Sequence, residues 1–406
     1  MSSCDNPGLI PFDEALRRLL DQTSLSAGIE RIALDQAVGR VLAESPVAAV
    51  DVPPADNSSM DGYAVNTADL NADAETPLAV SARIAAGQPP GELVPGSCAR
   101  IFTGAEIPAG ANAVVMQEQT RVEEDGSVVF PAGVKLQENI RPQGQDIQQG
   151  QATLKQGTRL QPADLGVLAS TGLAEVDVYR PLKVAILCTG DELVEPGQSL
   201  VAGQIYNSNR FVLAGLLTQL GMEVVDLGRV ADTAEDTVRA LRDAAANADA
   251  IISTGGVSVG EEDHVKAAVE SLGQLDLWRI KIKPGKPLAY GQVQGVPFFG
   301  LPGNPASSLI TFGLFARPCL LRQQGAEVEM PLMLQAPAGF TRTRAIVRQE
   351  YLRARYENGR VVPFANQSSG VLSSASWANG LAVVPPDTQV AEGDLIGFIP
   401  FSELLF

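Results

Sequence analysis

The chain has 406 residues, which at roughly 150 residues per domain leaves room for several buried cores. Thirty Lys and Arg stand against 47 Asp and Glu, and the net charge of −17 disfavours nucleic acid and anionic membrane surfaces as partners. A lone histidine, His264, excludes any site of two or three imidazoles, and Cys4, Cys98, Cys188 and Cys319 are too dispersed for a zinc knuckle or disulfide framework.

Isolated thiols fit a reducing compartment. No run approaches the roughly 18 apolar residues of a membrane span. The opening MSSCDNPGLIPFDEALRR lacks a basic-then-apolar leader, so a cytoplasmic protein is expected.

In chain order, Phe12, Ala15, Leu16, Leu19 and Leu20 recur at helical spacing behind Pro11 and predict a first helix. A second short helix is expected over 34–43. From Asp51 to about Tyr179, short alternating runs such as LAVSARIAAG and ANAVVMQEQTRV, broken by Gly and Pro, predict β-rich lobes. From Pro181 strands and helices alternate: LKVAILCTG, RFVLAGLLTQLG, MEVVDLGRV, TAEDTVRALRDAAANA, DAIISTGG, EEDHVKAAVESLG, WRIKIKPG, PLAYGQV, VPFFGLPG and a closing helix NPASSLITFGLFARPCLLRQQ. This spacing predicts an open, mostly parallel sheet with helices on both faces. After about Gly325, strand-like runs separated by Gly, Asn and Pro predict a small β-barrel. The expected fold class is therefore multidomain α/β plus β. Its divisions are β-rich N-terminal lobes over 1–180, the α/β unit over 181–324 and the barrel over 325–406.

Ligands of an open α/β sheet bind at the carboxyl ends of its strands. Asp191 and Glu192, Asp232, Asp263, Lys283 and Lys286, and Ser307 with Ser308 all follow predicted strands there. Any one Asp serves equally well as a helix N-cap; the convergence of carboxylates, lysines and Gly/Ser turns on one edge carries the argument. The run Ser253 to Gly260, including Gly255, Gly256 and Ser258, joins a strand to a helix without the GK[ST] of a P-loop or a GxGxxG, and its backbone amides suit a phosphate. Two lysines around Pro284-Gly285, in so acidic a chain, reinforce an anionic ligand. Turn chemistry accounts for ADNSSMDG and IRPQGQDI, and capping for His264.

Together DVPPADNSSMDGYAV, ARIFTGAEIPAGANAVVMQE, NIRPQGQDI, ILCTGDEL, GQIYNSN, STGGVSVGEEDHV, IKIKPGKPLAYG and FGLPGNPASSLITF resemble, in order over 51–312, the molybdopterin molybdenumtransferase family (MoeA and the gephyrin E domain). The resemblance implies an elongated homodimer with a molybdopterin-binding α/β domain and a site shared with the partner subunit. The implied reaction inserts molybdate into adenylylated molybdopterin with release of AMP, assisted by Mg²⁺, and a molybdopterin adenylyltransferase is an implied partner. Carried over by resemblance, Asp61, Asp146, Glu192 and Asp263 are catalytic, and Glu192 and Asp263 hold the metal. Thr103, Asp232, Gly255, Gly256, Ser258, Gly260 and Ser307 bind the pterin substrate. Lys283 and Lys286 hold molybdate with an Arg/Ser pair, Arg353 and Ser374, for which Arg348 and Ser373 are the neighbouring alternatives. Oxygen ligands suit Mg²⁺, and Lys, Arg, Ser and N–H donors suit an oxyanion, without His or Cys.

Overall fold

The structure, a computed structural model, describes residues 9–256, 264–285 and 287–405. Ser258, Gly260, Asp263 and Lys286 lie outside the described residues.

Pro11 precedes the helix Phe12–Gln22, which buries Phe12, Ala15, Leu16 and Leu19. This stripe belongs to the core that Val184 and Ile186 of the central sheet share with Val41 and Tyr179 of the N-terminal strands and with Tyr351 and Leu381 further on. The helix expected over 34–43 is reduced to one 3₁₀ turn, Leu34–Gln36, because Val41 and Leu42 are drawn into a ladder with Val178 and Tyr179 and buried there.

Two β-rich lobes follow. One is the sheet of Ile29–Ala33, Glu175–Tyr179 and Val41–Leu42 with the helix Pro162–Ser170 over it. The other is a six-stranded sheet in the order Ala113–Met116, Gly62–Val65, Ser97–Ile101, Thr76–Ile84, Val128–Phe130, Arg121–Val122. Its alternating residues feed two small cores, with Tyr63 and Val65 in one and Ala64 in the other.

The central sheet runs Glu223–Val230, Lys183–Thr189, Ala250–Thr254, Val296–Leu301, Pro287–Val293, Gly273–Arg279. The first four strands are parallel and the last two antiparallel to their neighbours. Val184 and Ile186 face one core while Ala185 and Leu187 face the other, so near-continuous apolar strands are buried on both sides.

Two elements differ from the sequence expectation. The segment WRIKIKPG is not one strand: after Arg279 the chain leaves the sheet, and Ile282–Lys283 pairs in parallel with Gln349–Glu350 of the C-terminal sheet. The closing helix is interrupted by a π turn, Phe312–Ala316, between Pro305–Thr311 and Arg317–Gln323. Pro318 has no N–H for the carbonyl of Leu314 and its ring crowds that carbonyl, so the preceding turn widens.

The C-terminal strands run Gln349–Glu357, Gly380–Val384, Leu395–Pro400, Leu334–Pro337, with Arg360–Pro363 on the free side of the first. A bridge from Ala338 to Val361 brings the ends together around Leu352, Ala354, Val361, Ile396 and Phe398, the expected barrel. No helix among the described residues is long and apolar enough to cross a membrane.

Candidate active site

A cleft of about 1020 Å³ opens where the strands ending at Thr189, Thr254 and Leu301 reach their carboxyl edge. Its floor is Thr189, Glu192, Gly255, Gly256, Gly303, Asn304 and Ser307; its opposite wall is Arg342, Arg348, Glu350, Arg353 and Ser368 of the C-terminal unit, with Lys283 between them.

The floor is shaped by close packing. Gly255 and Gly256 have φ of +84° and +64°, and a Cβ on Gly255 would stand 2.8 Å from the Thr189 carbonyl oxygen. Only glycine meets both demands, and the Gly255 amide is tied to the floor by donating to the Leu301 carbonyl at 3.3 Å. The Thr189 hydroxyl beneath is buried without a hydrogen-bond partner among the described residues. Ser307 is 4% exposed at the start of the helix Pro305–Thr311.

The wall is cationic. Arg353 is 1% exposed; its Nε donates to Ser374 Oγ at 2.9 Å and its Nη2 to the Ser368 carbonyl at 2.9 Å. Burial lowers the guanidinium pKa, and no carboxylate among the described residues pairs with it. A buried cation held by neutral acceptors is costly unless an anion completes it. Of the sequence alternatives, it is thus Arg353 and Ser374 that meet; Ser373 is exposed, and Arg348 lines the cleft half-buried. Lys283 is not a free cation. Its Nζ lies 3.1 Å from Oε1 of Glu350, whose side chain also accepts from Arg342 Nη2 at 2.7 Å and faces Arg342 Nε. Among the described residues that line the cleft, Lys283, Arg342, Arg348 and Arg353 outnumber Glu192 and Glu350, in a chain of net charge −17.

The structure brings Glu192, Gly255, Gly256, Lys283, Ser307 and Arg353 to one cleft. Asp232 does not line it: it lies half-buried just past Val230, at the outer strand of the sheet. Asp61, Thr103 and Asp146 also stand outside it, exposed in the N-terminal region. Asp61 Oδ1 accepts from the Thr103 amide at 2.8 Å and its hydroxyl at 2.7 Å, and these two bonds hold the Asp61 carboxyl below its usual range. The ladder of Asn57–Ser58 with Ile140–Arg141 sets the DNSSMDG and RPQGQD turns side by side, and Gln143 N donates to Asp56 Oδ1 at 2.8 Å.

Arg342 and Glu350 escaped the sequence reading. Each reads as an ordinary strand charge until the ladder of Lys283 with Glu350 is known. Among the described residues no three His, Cys, Asp or Glu side chains cluster as a ready metal cage. Among the described residues Glu192 is the cleft carboxylate without an ion pair, and it suits a hard cation that keeps several waters and shares the phosphates of a substrate.

Fold and site together define a multidomain α/β protein with a cleft between a sheet edge and a cationic barrel wall. The family described as the MoeA N-terminal region (domain I and II) matches residues 10–172, the probable molybdopterin binding domain 185–322, and the MoeA C-terminal region (domain IV) 335–401. A molybdopterin molybdenumtransferase of Haemophilus influenzae is 40% identical over 405 residues, 98% of this chain and 100% of its own length. One from Nostoc is 42% identical over 381 residues, 90% of this chain and 87% of its own. The solved molybdopterin biosynthesis moeA protein of Pyrococcus horikoshii superposes with a TM-score of 0.83 at 30% identity, covering 97% of this chain and 100% of that one. The chain belongs to the MoeA family.

Proposed function

We propose that this protein is a molybdopterin molybdenumtransferase, which inserts molybdate into adenylylated molybdopterin and releases AMP in molybdenum cofactor biosynthesis. The observation that carries the proposal is the concentration of cations on one cleft wall of an acidic chain, with Arg353 buried among neutral partners. The names of relatives at 40% and 42% identity support it.

On this reading the backbone that runs on from Gly256, extended by Ser258 and Gly260, cradles the pterin phosphate, and Ser307 bounds the same substrate, while Asp232, outside the cleft, takes no part in holding it. Arg353, positioned by Ser374, holds molybdate together with Lys283 and Lys286, because guanidinium and ammonium donors match the oxygens of a dianion. Glu192 and Asp263 hold Mg²⁺, which when bound neutralises phosphate charge as the phosphoanhydride is cleaved. A second copy of the chain supplies Asp61, Thr103 and Asp146, and a molybdopterin adenylyltransferase supplies the substrate. We read the chain as three units, 1–180, 181–324 and 325–406, acting in the cytoplasm.

The test is single-turnover release of radiolabelled AMP from adenylylated molybdopterin, with and without molybdate. Release that rises with molybdate is expected. Accumulation of adenylylated pterin from ATP and molybdopterin, with no response to molybdate, would overturn the reading in favour of an adenylyltransferase.

A further inference from the structure

We propose that Glu350 is a positioning residue for the oxyanion, anchoring Lys283 on the cleft wall so that less molybdate is needed; this role rests on the function proposed above. Glu350 is 1% exposed and stands opposite Lys283 in the ladder that joins the α/β unit to the barrel. Its Oε1 lies 3.1 Å from Lys283 Nζ and accepts from Arg342 Nη2 at 2.7 Å, while Oε2 faces Arg342 Nε. Oε1 thus meets both cations and Oε2 lies against Arg342, so the carboxylate bridges Lys283 and Arg342. Lys283 is 43% exposed in its side chain and sits on a flexible stem. An unanchored lysine samples solvent, and ordering it opposes anion binding.

Two effects of removing this carboxylate oppose each other. Loss of a negative charge beside the site draws an anion more strongly. Loss of the anchor leaves Lys283 and Arg342 as adjacent like charges without their shared counterion, and the more exposed of the two swings out. The anchor effect dominates, because the anion gains only from cations that stay in place. The sign of the change in molybdate requirement therefore separates a positioning carboxylate from a mere counter-charge.

The experiment measures single-turnover AMP release against molybdate in the full-length chain, for Glu350→Gln and Glu350→Asp, alone and combined with Lys283→Ala. Glu350→Gln is expected to raise half-saturating molybdate about fivefold or more, with release at saturation held within about twofold. Glu350→Asp keeps the charge but shortens the reach, so it gives a smaller rise, and this arm stands even where Gln prevents folding. In the Lys283→Ala background either change adds less than about twofold. A lowered or unchanged requirement, or the same factor in both backgrounds, would overturn the role of Glu350. A wild-type chain without molybdate-dependent release would overturn the functional reading itself, and the wild-type arm keeps the two failures apart.

Discussion

A methyl group added at Gly256 would stand 2.4 Å from Val265 Cγ2 and 2.9 Å from the Thr189 hydroxyl, at a φ of +64°. Both the contact and the backbone conformation oppose a side chain, so Gly256→Ala is expected to cost about 1–3 kcal/mol in denaturant unfolding. It is also expected to weaken binding of the pterin substrate at least about tenfold, because the turn that presents the amides shifts. Gly166 offers the contrast: it lies in the helix Pro162–Ser170 with nothing within 4 Å of an added Cβ. Gly166→Ala should leave binding unchanged and stabilise by about 0.5–1 kcal/mol. Equal behaviour of the two variants would refute the packing account of the floor. At this scale the glycine run was legible because a φ demand is written in the residue itself. The pairing of Glu350 with Lys283 and Arg342 was not, since no local pattern marks a partner supplied by a ladder distant in sequence.

Where the N-terminal strands hand over to the central sheet, Arg180 follows the strand Glu175–Tyr179 and grips Asp249 through both terminal nitrogens, at 2.8 and 2.6 Å. The Lys183 amide donates to the same carboxylate at 2.8 Å. Burial alone would raise the Asp249 pKa, but the bonds from Arg180 and Lys183 outweigh it and the net shift is downward from 3.8. A carboxyl depressed in the folded state contributes stability above its unfolded value, and that contribution disappears as pH falls through the folded value. Asp249→Asn should therefore lose about 1–2 kcal/mol at pH 7, kept modest by the partial exposure of Arg180. The gap to wild type should close in unfolding curves as pH falls through and below the lowered Asp249 value; a gap independent of pH would remove the ion pair from this joint. The strands and helices around it were legible because apolar runs buried on both faces read clearly in Lys183–Thr189 and Ala250–Thr254. Ile282–Lys283 was misread as central strand because its alternation is satisfied equally by the barrel sheet that captures it. The break at Phe312–Ala316 is traceable to Pro318, whose effect on the preceding turn no hydrophobic periodicity registers.

Across the whole molecule, the cleft joins the α/β unit to the barrel, while Asp61, Thr103 and Asp146 lie outside it on the N-terminal region. If a second copy completes the site, the two sets of residues act in different chains. A preparation of Asp61→Ala mixed with Glu192→Gln, each inactive alone, should recover about half of wild-type turnover per mixed dimer, since one of its two sites is intact. Mixed dimers that form but stay inactive would place all the chemistry within one chain. Only the family resemblance suggests this arrangement, because contacts between copies leave no periodicity in the chain.

The most direct test of molybdate insertion counts both products of one turnover. The chain is mixed with pterin labelled in its adenylate and with isotopically labelled molybdate, and freed AMP is compared with molybdenum bound to the pterin. Equal amounts of the two, with neither appearing when molybdate is withheld, are predicted. AMP release of the same extent without molybdate, or molybdenum on the pterin with the adenylate still attached, would contradict the account.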